Sequence, residues 1–495
     1  MLQFAVNLNY RGHSCPQRMT HTSAGVSPNL NTEKIPLYIQ LYHYIKNEII
    51  TGRIEPNTKL PSIRQLAAGL NMSRTTIEST YHQLLVEGYI KSEPKVGYFV
   101  STIAINEFAK LKLPSISPGN MEQEKMEHAT FYDFRSDYVD REGFDFSLWK
   151  KYINKALKSS ERFLSYGSYQ GEYELRKEIA KYIHQSRGVI CSPEQIVVGA
   201  GVQSLLNILC AILKPGYDSV GFEEPGFKKG QRVFRDHNFK IIPIRLENDG
   251  LDVKCLSESG TKIVYVSPSH QFPMGSTMSI NKRIQLLNWA HVNQGIIIED
   301  DYDSELRYFG RPIPSLQGLN NGANVVYLGT FSKILLPSLR ISYMVLPQDL
   351  LERFKGEISQ YNQTSSKIEQ IALSLFMKDG LLEKHIRKLR KIYAKKNQLL
   401  IDVINKIMGN RVNILGKETG LHILLAVKTH LSSEEIVGRA EQAGVKVIPI
   451  SHYFMNSTDL HYPLILLSYG GISREHIEPA IKLLCKVWFG CDTTK

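Results

Sequence analysis

The sequence predicts an α/β protein in which a mostly parallel sheet, covered by helices on both faces, follows an amino-terminal winged helix-turn-helix. Three observations predict it. From Phe131 onward, strand-like apolar runs alternate with amphipathic helical stretches. Upstream, two capped helical segments precede two short strands and a turn. After about Phe354 the pattern changes to a long helical region and then short strands at 412–427, 445–450 and 464–469, which makes a smaller α+β subdomain. At 495 residues the chain is too long for one core.

Residues 1–33 are polar and contain Met19, so they read either as a disordered tail or as sequence ahead of a true start at Met19. An apolar helix at 39–50 opens the first domain, expected over 34–102. Ser62 and Gln65 are spaced as a capping box after Pro61, and Ser73 caps a second helix carrying Ile77, Tyr81, Leu84 and Leu85 on its apolar side. A helix that enters the major groove reads bases with its first turn, here Ser73, Arg74, Thr75 and Thr76. Arginine and hydroxyl side chains suit guanine edges and phosphates. Residues 87–100 then form two strands and a turn, a wing. A small helical scaffold that binds protein would carry the same caps. Between 103 and 130, Pro114, Pro118, Gly119 and alternating acids and lysines mark a linker, helical near its start.

In the body, expected over 131–495, Thr330-Phe331-Ser332-Lys333 ends one apolar run and Glu299-Asp300-Asp301-Tyr302 ends another. A lysine at the carboxyl end of a buried strand is desolvated, which lowers its pKa and lets its amine form an imine with an aldehyde. A carboxylate at a neighbouring strand end can hold a pyridine nitrogen protonated. Lys333 and Asp300 therefore read together as a site for pyridoxal 5'-phosphate. Tyr302, two positions after Asp300, would reach the ring's phenolic oxygen, and Arg340 would pair with the phosphate. Val197-Val198-Gly199-Ala200 runs into a helix whose free amides suit an anion, so Gly201, Val202 and Gln203 are the phosphate cradle. Taken singly, each of these residues also fits an ordinary surface lysine, capping aspartate or turn.

These residues resemble fold-type I aminotransferases from roughly Phe131 to the C-terminus, with the segment after Phe354 similar to that family's small domain. The resemblance implies cofactor contacts from Thr330 and Ser332 beside Lys333. Leu164-Ser165-Tyr166-Gly167-Ser168-Tyr169-Gln170-Gly171-Glu172-Tyr173-Glu174-Leu175-Arg176 is similar to the family's substrate-loop segment, whose tyrosine, matching Tyr166, reaches the partner subunit's phosphate; a head-to-tail homodimer is implied. Glu224-Pro225-Gly226-Phe227 resembles the segment whose aromatic residue stacks on the pyridine ring, a role for Phe227 if it is not simply a core residue. In Ser267-Pro268-Ser269-His270-Gln271-Phe272-Pro273-Met274-Gly275, Phe272 stands where the family's ring-contacting asparagine would be, with His270 or Gln271 as substitutes. The family's substrate-carboxylate arginine falls on Leu466, which offers no donor, although Lys228 or Lys229 could supply a cation.

The upstream block, with its Pro-Ser-x-Arg, Ser-Arg-x-Thr, Glu-Gly and Gly-x-Phe-Val elements, resembles the GntR-type winged helix; Arg64, Arg74, Thr76 and Gly97 match that family's DNA contacts. The two blocks in this order resemble the MocR regulators. The resemblance implies a dimeric transcription factor that binds operator double-stranded DNA, holds pyridoxal phosphate as an imine on Lys333, and senses that cofactor or an amine effector. An active aminotransferase with a DNA-binding appendage is the alternative, and a cofactor body that only dimerises the winged helices is a third.

A formal net charge of +12 suits an anionic partner, but the winged-helix region holds nearly balanced charges, so total charge does not locate the DNA surface. The densest basic run, Lys384, Arg387, Lys388, Arg390, Lys391, Lys395 and Lys396, reads as a solvated helix face or as an auxiliary phosphate track. Cysteines at 15, 191, 210, 255, 485 and 491 show no Cys-x-x-Cys spacing, which predicts reduced thiols in a cytoplasmic setting and no structural metal. Apolar runs are too short for a membrane span, and the first 30 residues lack a signal-peptide core.

Overall fold

The structure, a computed structural model, describes residues 35–102, 132–135, 138–158, 160–308, 313–359, 361–456 and 461–490. The tail expected over 1–33 and the linker expected over 103–130 lie outside the described residues. The chain divides into two compact units, residues 1–125 and 126–495.

In the first unit, helices α1 (Leu37–Ile50), α2 (Ile63–Leu70) and α3 (Arg74–Val86) precede an antiparallel pair, β1 (Ile90–Glu93) and β2 (Gly97–Val100). The core follows helical spacing: Leu41, Tyr42, Ile45 and Ile49 of α1 meet Ile77, Tyr81 and Leu84 of α3, with Ile90 and Val100 closing it from the wing. Leu85, expected on the same side, is 37 % exposed because it lies at the rim of the stripe that Ile77, Tyr81 and Leu84 define. Both expected caps form. The Ser62 hydroxyl accepts the Gln65 amide at 3.3 Å while Gln65 Oε1 accepts the Ser62 amide at 3.0 Å, and Ser73 Oγ accepts the Thr76 amide at 3.1 Å. Tyr81 donates its hydroxyl to the Pro61 carbonyl at 2.9 Å, tying α3 to the entrance of α2.

The second unit begins with a short strand, β3 (Tyr132–Asp133), and helices α4 (Phe146–Leu157) and α5 (Tyr173–Arg187). Its large sheet contains β4 (Ile196–Gly199), β5 (Ser219–Glu224), β6 (Lys240–Glu247), β7 (Gly250–Leu251), β8 (Ile263–Val266), β9 (Ile296–Asp301), β10 (Val325–Thr330) and β11 (Ser342–Val345), in the order β4-β11-β10-β9-β8-β5-β6-β7. Strands β10, β9, β8, β5 and β6 are parallel to one another; β11 runs against both β10 and β4, and β7 against β6. Intervening helices are α6 (Val202–Leu213), α7 (Lys228–Asp236), α8 (Val253–Glu258), α9 (Ile280–Asn293) and α10 (Leu316–Leu319). Alternation along the strands feeds two faces. Tyr265, Ile298 and Leu328 pack with Leu205 and Leu209 of α6 and Phe234 of α7, whereas Val264 and Ile297 pack with Leu256 of α8 and Leu286 of α9.

The chain continues through α11 (Gln348–Glu357), α12 (Lys367–Lys378) and the 27-residue α13 (Leu381–Ile407) into a small antiparallel sheet. That sheet has the order β12-β13-β16-β15, from β12 (Val412–Leu415), β13 (His422–Val427), β15 (Ile448–Pro449) and β16 (Leu464–Ser468). Helices α14 (Ser433–Gln442) and α15 (Arg474–Phe489) complete the unit. The expected strand over 412–427 is thus two strands, because Gly416 and Gly420 turn the chain with φ of 67° and 79°. The expected strand over 445–450 also divides: β14 (Val445–Lys446) pairs with β3, and β15 pairs with β16.

The basic run lies on α13, but it is not one exposed track. Lys396 is buried and reaches Asp140 at 2.5 Å, and Arg390 donates to the Glu305 carbonyl, so Lys384, Arg387, Lys391 and Lys395 form the solvated face. Asp140→Ala should destabilise the fold by about 3–5 kcal/mol, since it leaves a buried ammonium without its counter-charge, held only by the Gly470 and Ile472 carbonyls. Lys391→Ala should stay within about 0.5 kcal/mol. Chemical denaturation of both variants checks the contrast.

Candidate cofactor site and nucleic-acid interface

The carboxyl ends of β4, β5, β8, β9 and β10 carry the site, as expected for an open α/β sheet. Alternation on β9 separates three consecutive acids. Glu299 accepts the amides of Leu316 and Gln317 at 2.8 and 3.0 Å, and Asp301 accepts from Arg187 at 2.7 Å and Tyr327 at 2.6 Å, so both are committed to structure. Asp300 points the other way. Its Oδ2 accepts the Tyr265 hydroxyl at 2.6 Å, while its buried Oδ1 has no hydrogen-bond partner. Burial pushes this carboxyl up to about 7, against the Tyr265 hydrogen bond and helped by the charges of Asp301 and Asp303. Glu223, at the end of β5, is likewise pushed up to about 8, chiefly by burial.

Strand β9 ends at Asp301, and Tyr302 lies just beyond it. The Tyr302 hydroxyl is 2.9 Å from His270 Nδ1, which is also 2.9 Å from both Asp303 oxygens. His422 packs against His270 with ring centroids 5.0 Å apart, and burial, then His270 and Lys333, push its imidazole down to about 3. Lys333 itself is partly buried in the turn after β10, the strand next to Asp300's own. Thr330 Oγ1 organises that turn, accepting the Ser342 hydroxyl at 2.8 Å and the Ser332 amide at 3.2 Å.

The first α-helical bond of α6 runs from the Leu205 amide to the Gly201 carbonyl, leaving the amides of Val202 and Gln203 ahead of the helical ladder. The Gly201 amide bonds to the Gly199 carbonyl at 2.8 Å, so Gly201 serves by its missing side chain: at φ 92° an added Cβ would overlap the Arg340 guanidinium. Arg340 is exposed and donates to the Ala200 carbonyl at 3.1 Å, which holds it over this helix start. The half-buried Phe227 stacks on Tyr265 with centroids 6.1 Å apart, and Tyr265 stacks in turn on Phe222. Tyr166 stands apart from these residues in its own chain, 88 % exposed on a loop with Leu164.

Gln271 donates to the carbonyls of Pro225 and Phe272, and its own carbonyl accepts the Met274 amide; it is committed to its loop. Phe272 sets its ring edge against Tyr302, His422 and Tyr453. Leu466 is fully buried opposite Leu424 and Ile448, in an apolar cluster that includes Phe272, Met274 and Tyr453. It therefore faces the loop beside Tyr302, and Lys228 and Lys229 stay exposed at the start of α7. Tyr265, Glu223, Asp303, His422 and Thr364, whose hydroxyl accepts the Ala200 amide at 3.0 Å, were not singled out from sequence. Only Tyr265 and Glu223 carried a signal there, as polar groups within apolar strand-like runs.

In the first unit, Arg74 and Thr75 are exposed on the opening turn of α3, and Arg64 is exposed on α2. The Ser73 and Thr76 hydroxyls lie 2.8 Å apart and bond to each other. Gly97 opens β2 at φ 132°, with Lys59 packed beside it.

Family models match both units: bacterial regulatory proteins of the gntR family over residues 37–100, and aminotransferase class I and II over residues 136–460. The chain is a winged-helix unit joined to a body of the fold-type I aminotransferase class, a fold that implies dependence on pyridoxal phosphate. It belongs to the MocR-type transcriptional regulators. It is 43 % identical to the HTH-type transcriptional regulator YdeL of Bacillus subtilis, across 94 % of this chain and 99 % of the relative. It is 32 % identical to the probable rhizopine catabolism regulatory protein MocR of Rhizobium meliloti, across 93 % and 95 %. The HTH-type pyridoxine biosynthesis transcriptional regulator PdxR of Corynebacterium glutamicum is 27 % identical across 84 % of this chain and 88 % of its own. Among solved structures, Pyrococcus horikoshii kynurenine aminotransferase superposes with a TM-score of 0.65 at 25 % identity, across 72 % of this chain and 90 % of that one. Among the described residues no helix is long and apolar enough to cross a membrane.

The residues fit a bound pyridoxal phosphate. A pyridinium N–H would give Asp300 Oδ1 the partner it lacks, and favour its ionised form. The sign of the cofactor-free behaviour follows. An aspartate carboxyl titrates near about 3.9 when unfolded; raised to about 7 in the fold, it contributes stability that is complete below its unfolded value and lost as pH rises through 7. Asp300→Asn cannot ionise. Cofactor-free protein should therefore lose stability between pH 5 and 8 more steeply than the Asp300→Asn variant, measured by denaturation at fixed pH values. Parallel curves would refute the burial argument.

Proposed function

We propose that the protein is a dimeric, DNA-binding transcriptional regulator whose body binds pyridoxal phosphate covalently through Lys333 and couples occupancy of that site to operator binding. The observation that carries this reading is the buried, half-satisfied Asp300 on the strand beside the one that leads to Lys333. When bound, the cofactor supplies an electrophilic aldehyde and an electron-withdrawing ring. The chain's residues then have separate tasks. Asp300 holds the pyridine nitrogen, Phe227 covers one ring face, and Tyr302 donates to the phenolic oxygen. Val202, Gln203 and Arg340, with Thr330 and Ser332 shaping the lysine turn, hold the phosphate end. Tyr166, exposed in its own chain, completes the partner subunit's phosphate contacts in a head-to-tail homodimer.

In the first unit, Arg74 and Thr75 address base edges from the major groove, and Arg64, Ser73, Thr76 and Gly97 fix the helix and wing on the backbone. The signal is the cofactor or an amine that competes with Lys333 for it. Leu466 favours the cofactor itself, because a substrate carboxylate against that apolar cluster would have no partner. The pyridoxine-biosynthesis regulator among the relatives points the same way. Either ligand can act only through different affinity for two conformations. The runner-up, a working aminotransferase, keeps the cofactor residues but lacks the carboxylate donor.

Lys333→Ala should abolish the adduct that borohydride reduction fixes on the native protein; an adduct at another lysine overturns the assignment. Operator binding, measured by titration with and without pyridoxal phosphate, should change for the native protein and not for Lys333→Ala. Arg74→Ala should cost about 1–3 kcal/mol on the operator while leaving cofactor absorbance intact; equal loss on random DNA would make it a phosphate clamp. Turnover of common amino acids should stay below about 1 s⁻¹, the low end of ordinary enzymes. Leu466→Arg should improve amino-acid binding, read by the change in cofactor absorbance.

A further inference from the structure

Tyr302 is surrounded by carboxyl groups. Burial above all keeps the phenol protonated, and Asp303, Asp300, Glu223 and Asp301 oppose its ionisation further. A neutral phenol with a carboxylate as neighbour would ordinarily donate its hydrogen bond to that carboxylate, because charge-assisted hydrogen bonds are the stronger kind. Here the Asp303 carboxylate is already engaged. His270, only 1 % exposed, places Nδ1 2.9 Å from both Asp303 oxygens, and this symmetric approach assigns its N–H to the carboxylate. The same Nδ1 is 2.9 Å from Tyr302 Oη, and a nitrogen that carries a proton cannot accept the phenol's. The Tyr302 proton is thus left for another acceptor.

The imidazole is held from its other sides too. Gly420 is required beneath it, since an added Cβ would overlap the ring, and His422 packs on it with centroids 5.0 Å apart. His422 is neutral and bonds to the Pro273 carbonyl at 3.0 Å, so it does not compete for Asp303. Lys333 is the nearby cation that His422 senses.

We infer that His270 and Asp303 form a positioning pair that keeps the Tyr302 phenol proton available to the phenolic oxygen of the cofactor. The inference rests on the proposed cofactor site and adds two residues that do not touch the cofactor in this assignment. A phenol donating to that oxygen favours the deprotonated chromophore and lowers the pH at which its absorbance changes. Without the imidazole, Asp303 accepts the Tyr302 hydrogen bond and the midpoint rises.

The test is a pH titration of the visible absorbance of cofactor-loaded full-length protein, with cofactor affinity read in parallel by equilibrium titration. Tyr302→Phe should raise the midpoint by about one pH unit, the scale of one lost hydrogen bond to a charged form. His270→Leu should move it the same way and by a similar amount. His270→Gln, which keeps an N–H to offer Asp303, should restore a near-native midpoint, and His270→Leu/Asp303→Asn should return it part of the way. If His270→Leu does not fold, His270→Met, which likewise offers Asp303 no N–H, replaces it and should raise the midpoint by a similar amount; an unmoved midpoint overturns the inference. A midpoint that moves for Tyr302→Phe but not for His270→Leu overturns the inference and spares the cofactor site. Equal shifts for His270→Leu and His270→Gln also overturn it, since they mean that the ring only packs. Failure of the native protein to bind the cofactor removes the underlying reading instead.

Discussion

The parallel pairing of β9 with β10, Asp300 beside Leu328, is the constraint on which the rest of the site depends. Side chains alternate along a strand, so this pairing sends Glu299 and Asp301 into contacts with α10, Arg187 and Tyr327, and sends Asp300 alone to the face shared with Tyr265 and Phe227. A one-residue slip would exchange the faces. It would then present a carboxylate already paired with arginine and turn Asp300 away from that face.

That arrangement is costly. Glu223, Glu299, Asp300, Asp301, Asp303 and Glu305 are gathered near the same strand ends, and burial raises four of them, Glu223, Glu299, Asp300 and Glu305, toward neutrality. Arg187 supplies a cation to Asp301, and His270 binds Asp303; Asp300, whose Oδ1 lacks a hydrogen-bond partner as Asp301 Oδ1 does, has no cation bonded to it. A buried polar atom left in this condition destabilises the fold until something binds it. Ligand binding then returns the deficit as stability. Such a site is well suited to report occupancy, because the same free energy that retains the cofactor is available to favour one conformation over another.

In the proposed reading the body keeps the ring-holding parts of an aminotransferase and differs at the substrate end. Leu466 and Phe272 join Met274 and Tyr453 in an apolar cluster that offers a carboxylate no cation. The first unit shows the reverse economy: its core needs only three helices and a hairpin, so the opening turn of α3 remains exposed, with Ser73 capping it and Arg74 and Thr75 outward.

Much of this was legible in the sequence. Caps are local, so Ser62 with Gln65 and the cap at Ser73 could be read from spacing alone, and the strand-end lysine and aspartate announced themselves by following apolar runs. Apolar periodicity also showed the long helices and the parallel sheet. What the sequence could not decide were relations between distant segments. The turn at Gly416 and Gly420 that splits one apparent strand, the pairing of β14 with β3, and the burial of Lys396 against Asp140 each join residues far apart in the chain or depend on backbone geometry. So do Tyr265 on Asp300 and His270 between Tyr302 and Asp303. Local pattern fixes which way a side chain alternates, but only the packed sheet brings the ends of β8, β9 and β10 together and determines which acid pairs with arginine and which is left with a tyrosine alone.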